Sequence, residues 1–189
     1  EGFGGVEGVI KGKSEMYVYL AKNDKKVFVN LDDAIQVDKT HQMNAISFGV
    51  NKPNAETNID KVSANPFVEI DYSNATIHSH LIGLYNANNI NAAIAIGNHF
   101  SVSTEFIKLA IENYIPENNR SQLVHKNSNE IILDAYNANP SSMAVAIANF
   151  IQLDKKGKVV ILGDMFELGH ESIVEHKGVV DLLVNEKNI

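Results

Sequence analysis

The sequence has 189 residues, 44% of them hydrophobic and 21% charged, enough for one large domain or two small ones with a buried core. Its net charge is −7, with no basic block and no apolar run near the ~18 residues of a membrane helix, so nucleic-acid binding and membrane insertion are disfavoured. The absence of cysteine excludes disulfides, thiol nucleophiles and cysteine-ligated metals, and it suits a reducing cytoplasm.

Residues 1–117 predict a mixture of helices and strands. Apolar residues at helical spacing predict a first helix over residues 5–21 with one buried stripe. The other predicted elements are strands at 27–30, 45–50, 67–72 and 76–82, a polar turn at 31–33, an exposed asparagine-rich loop at 51–65, and helices at 88–100 and 104–114.

The pattern changes after a polar linker at residues 116–119. Beyond it we predict a strand at 130–135, a helix that begins at Pro140 with Asn139 as N-cap, a fully buried strand at 158–163 and a helix at 171–184. Alternating strands and helices predict a doubly wound α/β domain, so we divide the chain into residues 1–117 and 118–189.

The two ends of the chain predict a piece of a longer protein. It begins at Glu1 without methionine or a targeting pattern, and it stops in a polar stretch, residues 185–189, directly after a predicted helix. We therefore expect further domains on both sides.

Lys13 lies on the apolar stripe of the first predicted helix, between Ile10 and Met16. Its amine can reach water along the helix surface, or it can be buried and neutral, because desolvation lowers the pKa of a lysine. A neutral amine can react with carbon dioxide to give a carbamate, an anion suited to holding Mg²⁺. The pattern alone leaves both alternatives open.

Two asparagines stand at the start of the helix predicted at 88–100. Asn86 and Asn89 are three residues apart, so they share a face of the first helical turn. Their amides can cap the helix, or they can offer the paired donor and acceptor that recognition of an adenine edge requires.

Polar loops follow both predicted strands of the second domain. In α/β folds ligands collect at the carboxyl ends of strands, and a helix N-terminus attracts phosphate. In the first loop, residues 134–140, Asp134 can accept hydrogen bonds from ribose hydroxyls; the alternative is an Asx turn followed by a helix cap. The second loop, residues 163–169, holds the equivalent place after the next strand, so we expect the two loops side by side.

The sequence gives little support for a histidine metal site, a phosphate-binding loop or a catalytic triad. His78 and His80 share one face of a strand, but without a third ligand nearby we expect them to face solvent. The sequence has no phosphate-binding loop of the G-x-x-x-x-G-K-[ST] type, and no Ser–His–Asp or paired-carboxylate arrangement can be argued from it.

Taken together, these segments resemble the Mur ligase family, the ATP-dependent amide-forming ligases of peptidoglycan synthesis. The resemblance rests on EGFG at 1–4, KGKSE at 11–15, VNLDD at 29–33, SFG at 47–49, the Asn86/Asn89 segment, DAYNANP at 134–140, GDMFELG at 163–169, and then Glu171 and His176. The motifs at 134–140 and 163–169 are the most specific, and they point to the members that add D-alanyl-D-alanine to UDP-MurNAc-tripeptide through an acyl phosphate.

The resemblance implies the later part of a P-loop-type central ATPase domain, followed by the beginning of a Rossmann-like C-terminal domain. It also implies ATP and Mg²⁺, a cytoplasmic and monomeric parent, and a fragment that is inactive alone because the P-loop lies upstream. By residue, it implies Lys13 as the carbamate that supports Mg²⁺, Asn86 and Asn89 on adenine, Arg120 on the phosphates, Asp134 on ribose, Tyr136, Asn137 and Asn139 along the nucleotide cleft, and Asp164, Glu167 and His176 facing the dipeptide.

One residue departs from the family pattern: Tyr85 stands where such ligases commonly carry histidine, directly before the first asparagine. Two alternative functions remain. One keeps the chemistry and changes the acceptor, as in another Mur-type ligase or a folylpolyglutamate or cyanophycin synthetase relative. The other is a non-catalytic nucleotide-binding module on the same scaffold.

Overall fold

The computed structural model describes residues 4–117, 119–184, 186 and 189. Some residues named in the sequence analysis lie outside this set: Glu1, Gly2 and Phe3 of the first motif, Asn118 of the linker, and Asn185, Lys187 and Asn188 of the polar tail.

A parallel sheet opens the fold. Helix α1 (Gly5–Lys22) leads to strand β1 (Val27–Asn30), helix α2 (Ala34–Thr40) follows, and strands β2 (Ala45–Val50) and β3 (Thr57–Ile59) complete the sheet in the order β1-β2-β3. Buried and half-buried positions alternate along these strands, and the buried apolar side chains include Val27, Val29, Ile46 and Phe48.

An antiparallel sheet follows and packs against two helices. Strands β4 (Lys61–Ala64), β5 (Phe67–Tyr72) and β6 (Ala75–Ile82) pair in sequence, and helices α3 (Ala87–His99) and α4 (Thr104–Glu112) come next. The main core lies here; its fully buried side chains include Ile59, Val68, Ile70, Ile77 and Ile94. The pairing of residues 67–72 with 76–82 is confirmed, because alternating side chains predicted it correctly.

The last part of the chain has its own small core. Strands β7 (Gln122–Lys126) and β8 (Asn129–Leu133) form an antiparallel hairpin, and helices α5 (Pro140–Gln152) and α6 (Ser172–Asp181) pack around Ile147, Met165 and Val179. The predicted start of α5 is confirmed, with Asn139 as N-cap and proline in the first turn. Among the described residues, no helix has the length and apolarity needed to cross a bilayer.

The buried stripe predicted for α1 is wrong. None of its residues is buried, and Val6 is 75% exposed. An amphipathic pattern shows which helix face can be buried, but burial also requires a surface to pack against. Among the described residues the main contact of α1 is with α2, a short helix that cannot cover the stripe.

The buried strand predicted at 158–163 is also wrong. This segment has no strand assignment, and Val159 and Ile161 are 75% and 91% exposed. A run of β-branched residues favours a strand, yet a strand forms only when a neighbour pairs with its backbone. No such neighbour is present in the described part of the chain.

The predicted exposed loop at 51–65 contains two strands, β3 and β4, and its Ile59 is fully buried. The many asparagines of this segment favoured a loop prediction, although buried and less buried side chains alternate from Thr57 to Ile59. The polar turn predicted at 31–33 likewise leads into a helix, because the Asp33 side chain accepts hydrogen bonds from the N–H groups of Ile35 and Gln36 and so caps α2.

Candidate functional site

A cleft of about 520 Å³ lies between the start of α3 and the start of α5. Six of the predicted site residues line it: Asn86, Arg120, Asp134, Tyr136, Asn137 and Asn139. A groove of about 610 Å³ beside α1 is lined by none of the predicted site residues. The cleft is therefore the candidate functional site.

Local backbone chemistry shapes both walls of the cleft. On one side Gly83, with φ +84° and ψ 139°, turns the chain out of β6 into a short 3-10 helix, Leu84–Asn86. On the other side the Asn139 side chain accepts the Ser142 N–H at 2.9 Å, and the Ser142 hydroxyl accepts the Asn139 N–H at 3.1 Å. This reciprocal cap fixes the start of α5 beside the cleft.

A hydrogen-bond network crosses the cleft at Tyr85. The Tyr85 hydroxyl lies 2.5 Å from the Ser121 hydroxyl and donates to Asp134 Oδ2 at 3.3 Å. The Ser121 backbone N–H donates to Asp134 Oδ1 at 3.2 Å, so one carboxylate binds both Tyr85 and the residue directly before β7. The network joins the entry to α3 with the end of β8.

The environment of Tyr85 raises the pKa of its hydroxyl. Burial raises the pKa of Tyr85, because desolvation disfavours the phenolate, and the nearby Asp134 carboxylate acts in the same direction. The hydrogen bond with Ser121 opposes these effects without cancelling them. At neutral pH the phenol is therefore a hydrogen-bond donor to Asp134.

The two predicted adenine-binding asparagines contact each other. Asn86 Nδ2 donates to the Ile82 carbonyl at 2.8 Å and to the Ser121 hydroxyl at 3.3 Å, and its Oδ1 accepts from Asn89 Nδ2 at 3.4 Å. Asn89 is exposed, and its Oδ1 has no partner among the described residues. Asn89 therefore retains polar groups for a ligand, although it does not itself line the cleft, whereas the amide of Asn86 is already engaged.

Arg120 is stacked on Tyr136, with the guanidinium carbon 3.7 Å from the ring centroid. Its neighbours Asn119 and Ser121 have φ values of 57° and 52°, and this left-handed backbone turns Arg120 toward the cleft. Stacking occupies the face of the guanidinium and leaves its edge N–H groups available for an anion.

The second predicted loop, residues 163–169, does not line the cleft. His176 Nε2 accepts the Met165 N–H at 2.9 Å, and its Nδ1 lies 2.7 Å from the Ser172 carbonyl, which assigns the proton to Nδ1. Asp164 and Glu167 are exposed, and Asp164 Oδ1 lies 3.8 Å from His176 Nε2. Ala138 of the first loop packs against the cluster of Ile147, Met165 and Val179, so both loops contribute to the same small core.

The metal-related predictions have no counterpart in the cleft. Lys13 is exposed on α1 and does not line the cleft, and the described residues contain no cluster of three side chains that could hold a metal ion. His78 and His80 are exposed, as predicted, and His78 Nδ1 lies 3.1 Å from Glu69 Oε1. By themselves, the residues present do not fit a Mg²⁺ site.

Two residues of the network were not predicted as site residues. The sequence marks Tyr85 only as a departure from the family pattern. Ser121 is 2% exposed, and nothing in its sequence neighbourhood marks it. Its importance depends on a contact with a residue 36 positions earlier in the chain.

Comparison with known proteins places this geometry in a family. The family model for the Mur ligase middle domain matches residues 1–97, and the one for the Mur ligase, glutamate ligase domain matches residues 119–187. Curated relatives include two UDP-N-acetylmuramoyl-tripeptide–D-alanyl-D-alanine ligases. That of Buchnera aphidicola subsp. Baizongia pistaciae is 28% identical over 97% of this chain, and that of Treponema pallidum is 37% identical over 56% of it.

Solved structures agree with the sequence matches. MurF from Acinetobacter baumannii superposes with a TM-score of 0.77 at 26% identity over 95% of this chain, and MurF from Thermotoga maritima in complex with ADP shares the fold, with a TM-score of 0.75 at 20% identity over 96%. The chain spans about two fifths of these proteins: 41% of the Buchnera ligase, 41% of the Acinetobacter structure and 43% of the Thermotoga structure. The chain belongs to the Mur ligase family and carries parts of its middle and C-terminal domains.

Proposed function

We propose that the whole protein containing this chain is an ATP-dependent ligase that adds D-alanyl-D-alanine to UDP-MurNAc-tripeptide. The names of the curated relatives support the substrates. The observation that carries the proposal is one cleft that collects Arg120 and Asp134, which are suited to phosphates and a ribose, with Asn86, which orders Asn89 at its edge. The cysteine-free composition agrees with a cytoplasmic enzyme, which we propose acts as a monomer.

In this proposal the chain binds ATP from both sides of the cleft. The exposed amide of Asn89, ordered by Asn86, meets the adenine edge. Asp134 accepts the ribose hydroxyls, because each of its oxygens retains a second lone pair beyond the bonds to Tyr85 and Ser121. Arg120 directs its edge N–H groups at the phosphates, and Tyr136, Asn137 and Asn139 line the cleft around them.

The proposed reaction has two steps. The terminal carboxylate of the tripeptide attacks the γ-phosphate of ATP, which gives an acyl phosphate and releases ADP. The amine of D-alanyl-D-alanine then attacks the acyl carbon, and the tetrahedral intermediate collapses with loss of phosphate and of the amine proton. The residues of this chain contribute orientation and positive charge, the main requirements of phosphoryl transfer.

The dipeptide is proposed to meet the loop at 163–169. Asp164 and Glu167 present exposed carboxylates that attract an ammonium group, and His176 lies beside Asp164. We propose the boundary between the two domains at 117/118, where the matched family regions leave a gap.

Lys13 is proposed to be carbamylated. The Lys13 side chain is exposed on α1, so the proposal rests on the family resemblance and not on a buried, neutral amine. The carbamate would supply one anionic ligand of a Mg²⁺ site, and the described residues provide no set of ligands to complete it. A mass increase of one carbon dioxide on the peptide containing Lys13, lost in Lys13→Arg, tests the modification directly.

The function is tested by phosphate release from the whole protein with UDP-MurNAc-tripeptide, ATP and D-alanyl-D-alanine. We expect release that requires both substrates, and a loss of about tenfold or more in kcat/KM for ATP in Asp134→Asn. Lys126→Ala, at the exposed end of β7, is the matched control and should retain full activity.

Each other outcome of this assay overturns the proposal in a defined way. Release only with a different amine would assign another acceptor to the same scaffold. No release from folded protein with any acceptor would favour a non-catalytic nucleotide-binding module. The 189-residue chain alone should release no phosphate, because its sequence contains no phosphate-binding loop.

A further inference from the structure

We infer that Tyr85 is a positioning residue, whose hydroxyl holds the Asp134 carboxylate in place for the ribose of the bound nucleotide. The inference rests on the proposed function, since it assumes that Asp134 accepts the ribose hydroxyls. It adds to the site a residue that reaches the ligand only through another side chain.

Each hydrogen bond of the network can be assigned a donor and an acceptor in only one way. Tyr85 has a single hydroxyl hydrogen, and the Asp134 carboxylate can only accept, so the phenol donates to Asp134. The Ser121 hydroxyl must then donate to the phenol oxygen, and it accepts in turn from Asn86 Nδ2. A chain of donors therefore runs from Asn86 through Ser121 and Tyr85 and ends on the carboxylate, where each bond polarises the next.

Backbone geometry on two sides fixes the position of the phenol. Gly83 approaches the ring so closely that a Cβ there would lie 2.5 Å from Tyr85 Cε1. Ser121, at the other end of the hydroxyl contact, is 2% exposed and held in the left-handed region at φ 52°. The phenol therefore lies between the Gly83 backbone and the buried Ser121 hydroxyl, which gives its own hydroxyl a defined place.

The consequence for Asp134 is a fixed orientation. Its Oδ1 accepts the Ser121 N–H directly before β7, and its Oδ2 accepts the Tyr85 hydroxyl at the entry to α3. An exposed aspartate otherwise samples several rotamers, and a ligand must then order it at a cost in affinity.

The test compares ATP with 2′,3′-dideoxy-ATP, which lacks the ribose hydroxyls, in binding measurements on the whole protein. Tyr85→Phe removes only the hydroxyl, and Tyr114→Phe, at an exposed tyrosine after α4, is the control. We expect Tyr85→Phe to weaken ATP binding by about three- to tenfold, the range of one lost hydrogen bond, and to leave dideoxy-ATP binding unchanged. Tyr114→Phe should change neither.

An equal loss for both nucleotides, or no loss for either, overturns the inference while the proposed function stands. If the unmodified protein binds the two nucleotides equally, the ribose role of Asp134 fails and the inference fails with it. Should Tyr85→Phe not fold, Ser121→Ala removes the hydroxyl that donates to the phenol but keeps the bond from Tyr85 to Asp134, so it must show a smaller loss that is again restricted to ATP.

Hydrogen exchange gives an independent readout on the unliganded protein. If Tyr85 holds Asp134, the Ser121 amide, which donates to Asp134 Oδ1, should exchange about three- to tenfold faster in Tyr85→Phe. Unchanged exchange at Ser121 would contradict the inference, because the carboxylate would then keep its place without the phenol.

Discussion

Gly83 gives the sharpest single test of how the backbone builds the cleft. Its φ of +84° and ψ of 139° lie in a region that is essentially restricted to glycine. A Cβ at this position would also lie 2.5 Å from Tyr85 Cε1 and 3.0 Å from Tyr85 Cδ1, distances that require the ring to move. Gly83→Ala therefore combines backbone strain with a steric clash.

The magnitude follows from these two effects. A non-glycine residue in such a region costs about 1–3 kcal/mol, and overpacking against a fixed neighbour costs about 1–3 kcal/mol more. We expect Gly83→Ala to lower the free energy of unfolding by about 2–6 kcal/mol. Because the displaced ring carries the Tyr85 hydroxyl, the contact with Asp134 should weaken as well.

Two other glycines separate the effects. Gly157 has φ +65°, and a Cβ added there would meet no described atom within 4 Å, so Gly157→Ala should cost about 1–2 kcal/mol from strain alone. Gly178 lies inside α6 in open space at an ordinary φ, so Gly178→Ala should stabilise by about 0.5–1 kcal/mol.

Urea unfolding followed by far-UV circular dichroism measures all three variants, with separate fits if the two parts of the chain unfold in separate transitions. The predicted order of stability is Gly178→Ala, then the unmodified chain, then Gly157→Ala, then Gly83→Ala. A Gly83→Ala variant no less stable than Gly157→Ala would refute the steric reasoning.

Three further substitutions test single contacts. Asn139→Ala should cost about 1 kcal/mol by removing the cap of α5, and a stability loss below the error of urea unfolding would argue against the cap. The pKa of Glu112 is lowered by the His78 backbone N–H and then by Lys108, so its stabilisation is present above its ordinary value of 4.5 and lost as pH falls through the lowered pKa. The stability difference between the unmodified chain and Glu112→Gln should therefore shrink in acid, and a difference constant with pH would contradict this. His176→Ala should cost about 1–3 kcal/mol by leaving the Met165 N–H without its acceptor, and unchanged exchange of that amide would contradict the contact.

Local chemistry made much of the fold predictable. Asn139 followed by Pro140 predicts a helix start from cap geometry alone, and α5 begins there. The alternation in residues 67–72 and 76–82 predicts an antiparallel pair because the signal and the pairing lie close together in the chain. Features of this kind need no information from distant residues.

Features that depend on distant partners were not predictable in the same way. The run at 158–163 has the composition of a buried strand, but pairing depends on a neighbouring backbone that local sequence does not reveal. The residues of the cleft likewise fall into those predictable from local sequence and those that depend on distant contacts. The loop containing Asp134 was predicted from strand-end chemistry, whereas Ser121 enters the site through a left-handed backbone and a contact with Tyr85.

The hydrogen bonds that Asn86 and Asn89 already make determine which of them has polar groups free for adenine. Asn86 donates to Ile82 and Ser121 and accepts from Asn89, so a nucleotide that bound Asn86 would replace existing bonds and gain little net free energy. Asn89 has an exposed carbonyl oxygen, and a bond from adenine to that oxygen replaces only water. In the proposed function, base recognition therefore falls mainly on Asn89, while Asn86 orders Asn89 and begins the chain of donors that ends at Asp134. The two residues share a helical turn, yet the proposal gives recognition of the base to Asn89 and the ordering of the site to Asn86.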